Sequence, residues 1–243
     1  MEVLKFNLSG KNAFFKKPEV NTYFYFTYNC IHKVAVLGIF GAILGYRGYN
    51  QMSASDDYPE FYERLKELKI SVVPKAEAGC FSKKIQRFNN SVGYASKERG
   101  GNLIVKEQWL ENPAWDIYIL LTDEETRKLS DAILNKRCIY MPYLGKNDHP
   151  AEIKGAVIRE GVKVAEKFGF IHSLAPSKSL ELDLDEEEFE INESIFKYEE
   201  FLPVALNPKT HLYEMERFVY SNLGVLGTEC EIICVDGKNI VFY

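Results

Sequence analysis

The sequence predicts an α+β fold in which strands and helices alternate. Glu2–Ser9 alternates apolar and polar residues, as a half-buried strand does, and Ile31–Gly45 follows it as an apolar helix. The later elements continue in an order that matches the βαββαβ, ferredoxin-like plan with an inserted hairpin. They are Tyr58–Leu68 (helix), Ile70–Pro74, Asn102–Trp109 and Trp115–Leu121 (strands), Asp123–Leu134 (helix) and Cys138–Met141 (strand).

The first predicted helix carries small residues on one face. Each glycine inside a helix costs about 1 kcal/mol relative to alanine, so we expect this face to lie very close to a sheet or another backbone. Because the glycines lie in an apolar helix, they do not form the exposed GXXG loop of a KH domain. The small residues are Gly38, Gly41, Ala42 and Gly45.

Both long helices have predicted N-terminal caps. Asn29 lies just before the first helix and can accept from its free backbone N–H groups. Thr122, with Glu125 three residues on, predicts a capping box at the start of the last helix.

Residues 151–243 predict a smaller, β-rich C-terminal region that follows a first domain of residues 1–150. A helical turn is expected around Val162–Phe168, and Asp236-Gly237 is a strong hairpin turn. Residues 180–200 hold ten acids against one lysine and predict a solvated loop or edge. The expected strands are Tyr198–Leu206, Leu212–Tyr220, Glu231–Asp236 and Asn239–Tyr243.

Charge is divided unevenly along the 243 residues. Residues 1–110 hold 16 Lys and Arg against 10 Asp and Glu, whereas residues 111–243 hold 14 against 25, so nets of +6 and −11 give −5. The overall charge argues against a nonspecific coat on nucleic acid. A basic half on an acidic chain instead fits a protein that binds RNA on one face and other proteins elsewhere.

The sequence predicts a cytoplasmic location. The start, MEVLKFNLSG, has no apolar core of a signal peptide, and the longest apolar run, Val34–Leu44, is too short to cross a bilayer. The five cysteines show no ligand or disulfide pattern, so we expect buried thiols in a reducing compartment. Cys230 and Cys234 are predicted to share one face of a strand.

Residues 75–106 predict a protruding basic β-hairpin. Seven Lys and Arg residues stand against two acids, and Phe81, Phe88 and Tyr94 lie between them. Cations alternating with rings suit an element that follows a nucleic-acid backbone and wedges against bases. The alternative is a solvated loop that is basic by chance.

Two further segments combine cations with rings or glycine. After Lys16 and Lys17 comes an aromatic run, Tyr23–Tyr28, and rings of this kind stack on bases. Residues 142–150, PYLGKNDHP, place donors around Gly145, whose backbone N–H groups can meet a phosphate. The alternative for residues 142–150 is an ordinary turn between domains.

Several of these segments resemble the type I-B CRISPR-associated subunit called "Cas five", a member of the RAMP superfamily. The resemblance covers about the first 150 residues. The matching segments are Lys17–Val20, the glycine helix Leu37–Gly45, Tyr58–Tyr62, Phe81–Ile85, Phe88–Ser91, Glu107–Leu110 and Pro142–Pro150.

The resemblance implies a ferredoxin-like (RRM-like, RAMP) domain in a noncatalytic subunit of a Cascade complex. Such a subunit caps the 5′ handle of the CRISPR guide RNA, its hairpin acts as a thumb, and its partners are the backbone and large subunits, with target DNA contacted only indirectly. No cofactor or metal is expected. The candidate RNA-binding residues are Lys16, Lys17, Asn21, Tyr25, Tyr28, His32, Lys33, Lys83, Lys84, Arg87, Phe88, Asn89, Tyr143, Lys146, Asn147 and His149.

Two alternatives remain open at this point. One is a metal-independent endoribonuclease that processes precursor RNA, as type I-C relatives do with a Tyr, a Lys and a His. Such cleavage needs a general base and an acid, and His32 beside Lys33 is the best candidate for them, although the triad cannot be placed residue by residue. The sequence shows no HxH, DxD or HExxH metal pattern. The other alternative is a stand-alone RNA-binding regulator.

Overall fold

The computed structural model describes residues 1–19, 23–91, 93–94, 97–164, 169–184 and 194–243. It is rich in sheet, in agreement with the predicted α+β class. The helices of the described part are α1 (Lys33–Leu44), α2 (Glu60–Leu65) and α3 (Glu124–Leu134). The strands are β1 (Glu2–Ser9), β2 (Asn12–Ala13), β3 (Phe24–Tyr25), β4 (Ile70–Pro74), β5 (Lys83–Asn89), β6 (Ile104–Glu111), β7 (Ala114–Leu120), β8 (Glu152–Glu160), β9 (Val162–Lys163), β10 (Ala175–Pro176), β11 (Leu180–Leu182), β12 (Lys197–Leu206), β13 (Tyr213–Ser221), β14 (Val225–Thr228), β15 (Ile232–Val235) and β16 (Lys238–Val241).

The central sheet contains four antiparallel strands in the order β4-β7-β1-β8. β1 pairs with β7 from Val3↔Leu120 to Ser9↔Ala114 and with β8 on its other edge. Helices α1 and α2 connect β1 to β4, and α3 connects β7 to β8. The chain between β4 and β7 is therefore an insertion into the sheet's connectivity, and it contains the predicted hairpin.

The two faces of the central sheet are covered by different elements. On one face Phe6 meets Phe40 of α1, with ring centroids 6.3 Å apart. On the other face Val3 and Tyr118 pack against Ile233 of β15. Each such side chain stabilises the fold by roughly 1.5–3 kcal/mol when it leaves water, so both layers contribute to one folded unit.

The helix boundaries are close to those predicted, but the capping residues differ. The N-cap of α1 is His32, whose Nδ1 accepts from the Ala35 N–H at 3.2 Å, rather than Asn29. The N-cap of α3 is Asp123, whose Oδ1 accepts from the Thr126 N–H at 2.8 Å, rather than Thr122. Both helices begin later than predicted, because the side chain with the right spacing to the third helical N–H comes later.

The predicted strand Cys138–Met141 is wrong. Ile139 and Tyr140 lie in a bend and donate their N–H groups to the carbonyls of Ile43 and Ala42, at the end of α1. The fourth strand of the sheet is instead β8, which the sequence assigned to the C-terminal region. A domain boundary at residue 150 therefore separates this strand from the sheet it completes.

The other C-terminal strands are close to prediction. β12 and β13 form a long antiparallel ribbon, and β15 and β16 form a hairpin whose turn at Asp236-Gly237 has positive φ at both residues, as predicted. Leu202, Leu206 and Phe218 of the ribbon join the same core as α1. The C-terminal region is thus packed onto the first 150 residues rather than appended to them.

Two C-terminal predictions need correction in part. Val162–Lys163 forms strand β9 rather than the start of a helix, and residues 165–168 lie outside the described part. Within the acidic segment, Leu180–Leu182 forms β11, while residues 185–193 are not described. Glu200 is not solvated: its side chain is only 10% exposed and lies 2.8 Å from the Lys17 ammonium.

All five cysteines are free, but not all are buried as predicted. Cys30 is buried, Cys80 and Cys138 are exposed, and Cys230 and Cys234 are half-buried. In the described ranges, no helix combines the length and the apolar character needed to cross a bilayer.

Candidate nucleic-acid interface

The basic hairpin is formed by β5 and β6, which pair from Lys83↔Leu110 to Asn89↔Ile104. The strand period of two puts Lys83, Arg87 and Asn89 of β5 on an exposed face, whereas Lys84 and Phe88 are half-buried on the other. β2 and β3 pair with the free edge of β6, so the hairpin extends from a small sheet.

Most cations of the hairpin have no acidic partner. Lys75 lies 3.7 Å from Asp116. The remaining six cations form no ion pair with any acid in the part of the chain that the structure describes. They are Lys83, Lys84, Arg87, Lys97, Arg99 and Lys106. Uncompensated positive charge on a protruding element attracts phosphate.

The rings of the hairpin have separate roles. Phe81 is buried against Trp115, with ring centroids 5.1 Å apart, and so anchors the base of the hairpin. Phe88 packs under the Lys146 ammonium. Tyr94 is exposed, so its ring is open to solvent.

Residues 142–150 form a closed turn, which we call the glycine turn. The Leu144 N–H donates to the His149 carbonyl at 2.8 Å, and the Phe14 N–H donates to the Leu144 carbonyl at 3.0 Å. Gly145 has φ +85°, and a Cβ there would overlap the Phe14 carbonyl. Only glycine fits this position, and Tyr143 and Asn147 remain exposed beside it.

Lys146 joins the glycine turn to the hairpin. Its Nζ is 2.9 Å from Glu107 Oε2 and lies over the rings of Phe88, Trp109 and Phe14, at 5.1, 5.3 and 5.8 Å from their centroids. Trp109 Nε1 also donates to Glu107 Oε2, at 2.7 Å. The ammonium is therefore held by one carboxylate and a cage of rings.

A groove of about 1070 Å³ lies beside this contact. Small residues of α1 line it, and Gly38 would meet nothing within 4 Å if it carried a Cβ. The expectation of close packing along this face is therefore confirmed at Gly41, which lies against Phe61 of α2, but is wrong at Gly38. The other lining residues include Lys16, Tyr49, Asn50, Gln51, Glu107, Tyr140, Met141, Tyr143 and Lys146.

The aromatic run is split between surface and core. Lys16 Nζ lies 4.1 Å from the ring centroid of Tyr25, which is half-buried, and Tyr23 is exposed. Tyr28 is 1% exposed and belongs to the core. Asn21 lies outside the described residues.

Two predicted histidine contacts are internal. His32 is 3% exposed, its ring meets the rings of Phe15, Tyr28 and Tyr213 edge-on, and burial lowers its pKa to about 3. His149 is 2% exposed and lies edge-on to Trp109 at 4.4 Å. The His149 side chain therefore serves packing, whereas His32 packs, caps α1 and also contributes to the lining of the groove.

Two predicted lysine contacts are occupied within the protein. Lys17 pairs with Glu200 at 2.8 Å and lies over the Tyr28 ring. Lys33 Nζ donates to the Tyr243 carbonyl at 3.3 Å, and burial lowers its pKa to about 8. Sequence patterns cannot show such pairing, because Glu200 and Tyr243 are far away in the chain.

Sequence reasoning missed the groove residues Asn50, Gln51, Tyr140 and Met141, and it assigned no role to Glu107. The sequence carries no local signal for Glu107, Asn50 or Gln51, because the contacts of these residues form only in three dimensions. Among the described residues, no three His, Cys, Asp or Glu side chains lie close enough to hold a metal ion.

No protein-family profile and no curated protein matches this sequence. The structure, in contrast, is similar to CRISPR-associated proteins. A chain of a CRISPR RNA-guided surveillance complex is 12% identical, with a TM-score of 0.53 over 92% of this chain and 91% of that chain. A CRISPR protein from Archaeoglobus fulgidus is 11% identical, with a TM-score of 0.52 over 99% and 98%.

A third similar structure is a chain of the type III-B Cmr-beta complex bound to cognate target RNA and AMPPnP. It is 11% identical, with a TM-score of 0.50 over 93% of this chain and 86% of that chain. At these identities the similarity establishes a shared fold along nearly the whole chain. The molecule therefore has the fold of subunits found in CRISPR complexes.

Proposed function

We propose that the chain is a noncatalytic subunit of a type I-B CRISPR interference (Cascade) complex that binds and caps the 5′ handle of the guide RNA. The observation that carries the proposal is the juxtaposition of a groove with a hairpin whose six cations have no acidic partner among the described residues. The shared fold supports the proposal that the chain belongs to a CRISPR complex. The sequence resemblance supports its assignment to type I-B. The four-stranded sheet with its helical connections is then a ferredoxin-like RAMP domain.

The geometry indicates how RNA lies on the protein. Lys83 and Arg87 face solvent from one strand, and Lys106 is directly opposite Arg87 on the other. Three cations on one face follow a phosphate backbone over a few nucleotides. Lys16 and Lys146 line the groove, so the same strand of RNA continues from the hairpin face into it.

A noncatalytic role agrees with the state of the histidines. Metal-free RNA cleavage needs a base near the 2′-OH and an acid at the leaving oxygen. His32 is neutral at pH 7 because its pKa is about 3, and its Nδ1 is occupied by the α1 N-terminus. His149 is buried and its pKa is also lowered, mainly by burial. The acidic C-terminal half is proposed to contact the backbone and large subunits.

Purification of the full chain from cells that hold its complex tests this function. The expected result is co-purification of partner subunits and of RNA with one uniform 5′ sequence. RNA without protein partners would favour a stand-alone regulator. Specific cutting of repeat RNA by the purified chain, lost in His32→Ala, would establish the nuclease instead.

A further inference from the structure

The hairpin and the glycine turn are joined through one partly buried ion pair. The Lys146 and Glu107 side chains are 25% and 10% exposed, and their charged atoms are 2.9 Å apart. An exposed pair contributes about 0–1 kcal/mol, but water screens this one less. Separating the pair therefore loosens the contact between the two elements.

The rest of the contact is formed by packed rings. His149 of the turn packs on Trp109 of the hairpin, and within the described part of the chain neither ring nitrogen of His149 has a hydrogen-bond partner. Trp109 Nε1 donates to the same Glu107 oxygen that receives Lys146. Glu107 is thus the acid on which both elements converge.

Lys146 and Glu107 also line the groove, so the ion pair is reachable from it. From this geometry we infer that the pair is a latch: it holds the hairpin to the turn when the groove is empty, and an RNA phosphate entering the groove draws Lys146 from Glu107 and releases the hairpin. The inference rests on the proposed function, because it takes RNA as the ligand of the groove. The base of the hairpin stays paired with β2 and β3, so it is the outer part that becomes free to close over the strand.

Thermodynamic linkage determines whether weakening the ion pair strengthens or weakens RNA binding. If phosphate and Glu107 compete for one ammonium, then weakening the ion pair strengthens RNA binding by the same factor. Glu107→Gln weakens it while keeping an oxygen to accept from Trp109 Nε1. A residue that only supports the fold would give the opposite result, since its loss weakens binding.

The first test measures binding of a fluorescein-labelled oligouridine of about 16 nucleotides by anisotropy. Glu107→Gln should bind about fivefold more tightly than the unaltered chain. Glu111→Gln is the matched control, because it removes the same charge from β6 but contacts neither Lys146 nor the groove in the described residues. Equal effects of the two variants, or weaker binding by Glu107→Gln, would overturn the latch.

The second test needs no RNA. Hydrogen exchange of the β5 amides should be about fivefold faster in Glu107→Gln and Lys146→Met than in Glu111→Gln. Unchanged exchange overturns the latch even where RNA binding stands. If the unaltered chain binds neither the oligouridine nor its own co-purified RNA, the proposed function is wrong, and so is the competition between phosphate and Glu107 for Lys146. The exchange rates still decide whether the ion pair holds the hairpin.

Discussion

The basic hairpin β5–β6 and the ribbon β12–β13 are both long antiparallel pairs that carry charge. They differ in whether their cations lie beside a carboxylate. On the ribbon, Lys197 and Arg217 lie 3.1 and 4.0 Å from Glu199. Beside it, Lys178 lies 2.7 Å from Glu216. On the hairpin, six of the seven predicted cations have no such neighbour in the described residues.

From this difference we predict that pairing, rather than the number of cations, decides which surface attracts phosphate. A cation with a carboxylate at 3 Å presents little net potential to a ligand, while one without a partner attracts anions. Lys17 makes the same point within the N-terminal half, because Glu200 of the ribbon neutralises it.

The largest expected effect comes from removing the unpaired cations. Replacing Lys83, Lys84 and Arg87 with alanine should weaken RNA binding about 100-fold at low salt. It should also reduce the slope of log K against log salt by about 2, because each lost single-strand phosphate contact contributes about 0.7. A salt titration with fluorescence anisotropy measures both.

The control is the matching triple variant of the ribbon region, Lys178, Lys197 and Arg217 to alanine. It removes the same charge, but from cations that already have carboxylate partners. We expect a slope close to that of the unaltered chain. Equal losses in the two triple variants would mean that total charge governs binding and that pairing does not.

The local sequence pattern predicts most strands and helices, but it predicts only part of the candidate site. The alternation of β1 and the Asp236-Gly237 turn are local signals, and the structure confirms both. β8 was missed because its sequence, EIKGAVIRE, has no clear alternation; it is an edge strand with a shifted register near Gly155.

The hairpin was predictable because its cations are close together in sequence. The groove was not, because its lining comes from α1, residues 48–51 and residues 140–146, which meet only in three dimensions. The burial of Tyr28 and His32 depends on Tyr213 and Met215 of β13, nearly two hundred residues away. No local pattern carries that information.

The second prediction tests whether His32 is buried in the folded protein rather than exposed on the candidate RNA-binding surface. Its folded pKa of about 3 is below the unfolded value of about 6.5. As pH falls below 6.5 the unfolded state binds a proton that the folded state rejects, so the free energy of unfolding falls. His32 alone should contribute a loss of about 2 kcal/mol between pH 6.5 and 5.

Urea unfolding at several pH values measures this loss. His32→Asn keeps a good N-cap residue that does not titrate. The free energy of unfolding of this variant should therefore fall by about 2 kcal/mol less between pH 6.5 and 5 than that of the unaltered chain. An identical pH dependence in both proteins would place His32 in contact with solvent and return it to the candidate RNA-binding surface.

The third prediction concerns the acid that links the ribbon to the N-terminal half. Glu200 accepts from the Asn29 N–H at 3.0 Å and from Tyr198, and it pairs with Lys17. Glu200→Gln should lower the free energy of unfolding by about 1.5 kcal/mol, since charged hydrogen bonds in a buried site are lost. The exposed Glu214→Gln should change it by less than about 0.5 kcal/mol.

The same Glu200→Gln variant also tests whether the ion pair with Glu200 keeps Lys17 from binding RNA. If Lys17 is kept from phosphate only by Glu200, freeing it should tighten binding of a labelled RNA about twofold, as one further weak contact would. Weaker binding by a folded variant would show that Glu200 positions the interface rather than masking a cation.

The smallest effect is expected from the acids at positions 185–190, which lie outside the described residues. Changing these five acids to their amides removes five negative charges from a segment that we predict to lie away from the RNA. Charges more than about 10 Å from the RNA are largely screened at 0.1 M salt, so affinity should stay the same or rise by less than about twofold. A fall in affinity, in a variant whose circular dichroism is unchanged, would place these acids against the RNA or its metal ions, and the division of the chain into a basic RNA-binding part and an acidic protein-binding part would be wrong.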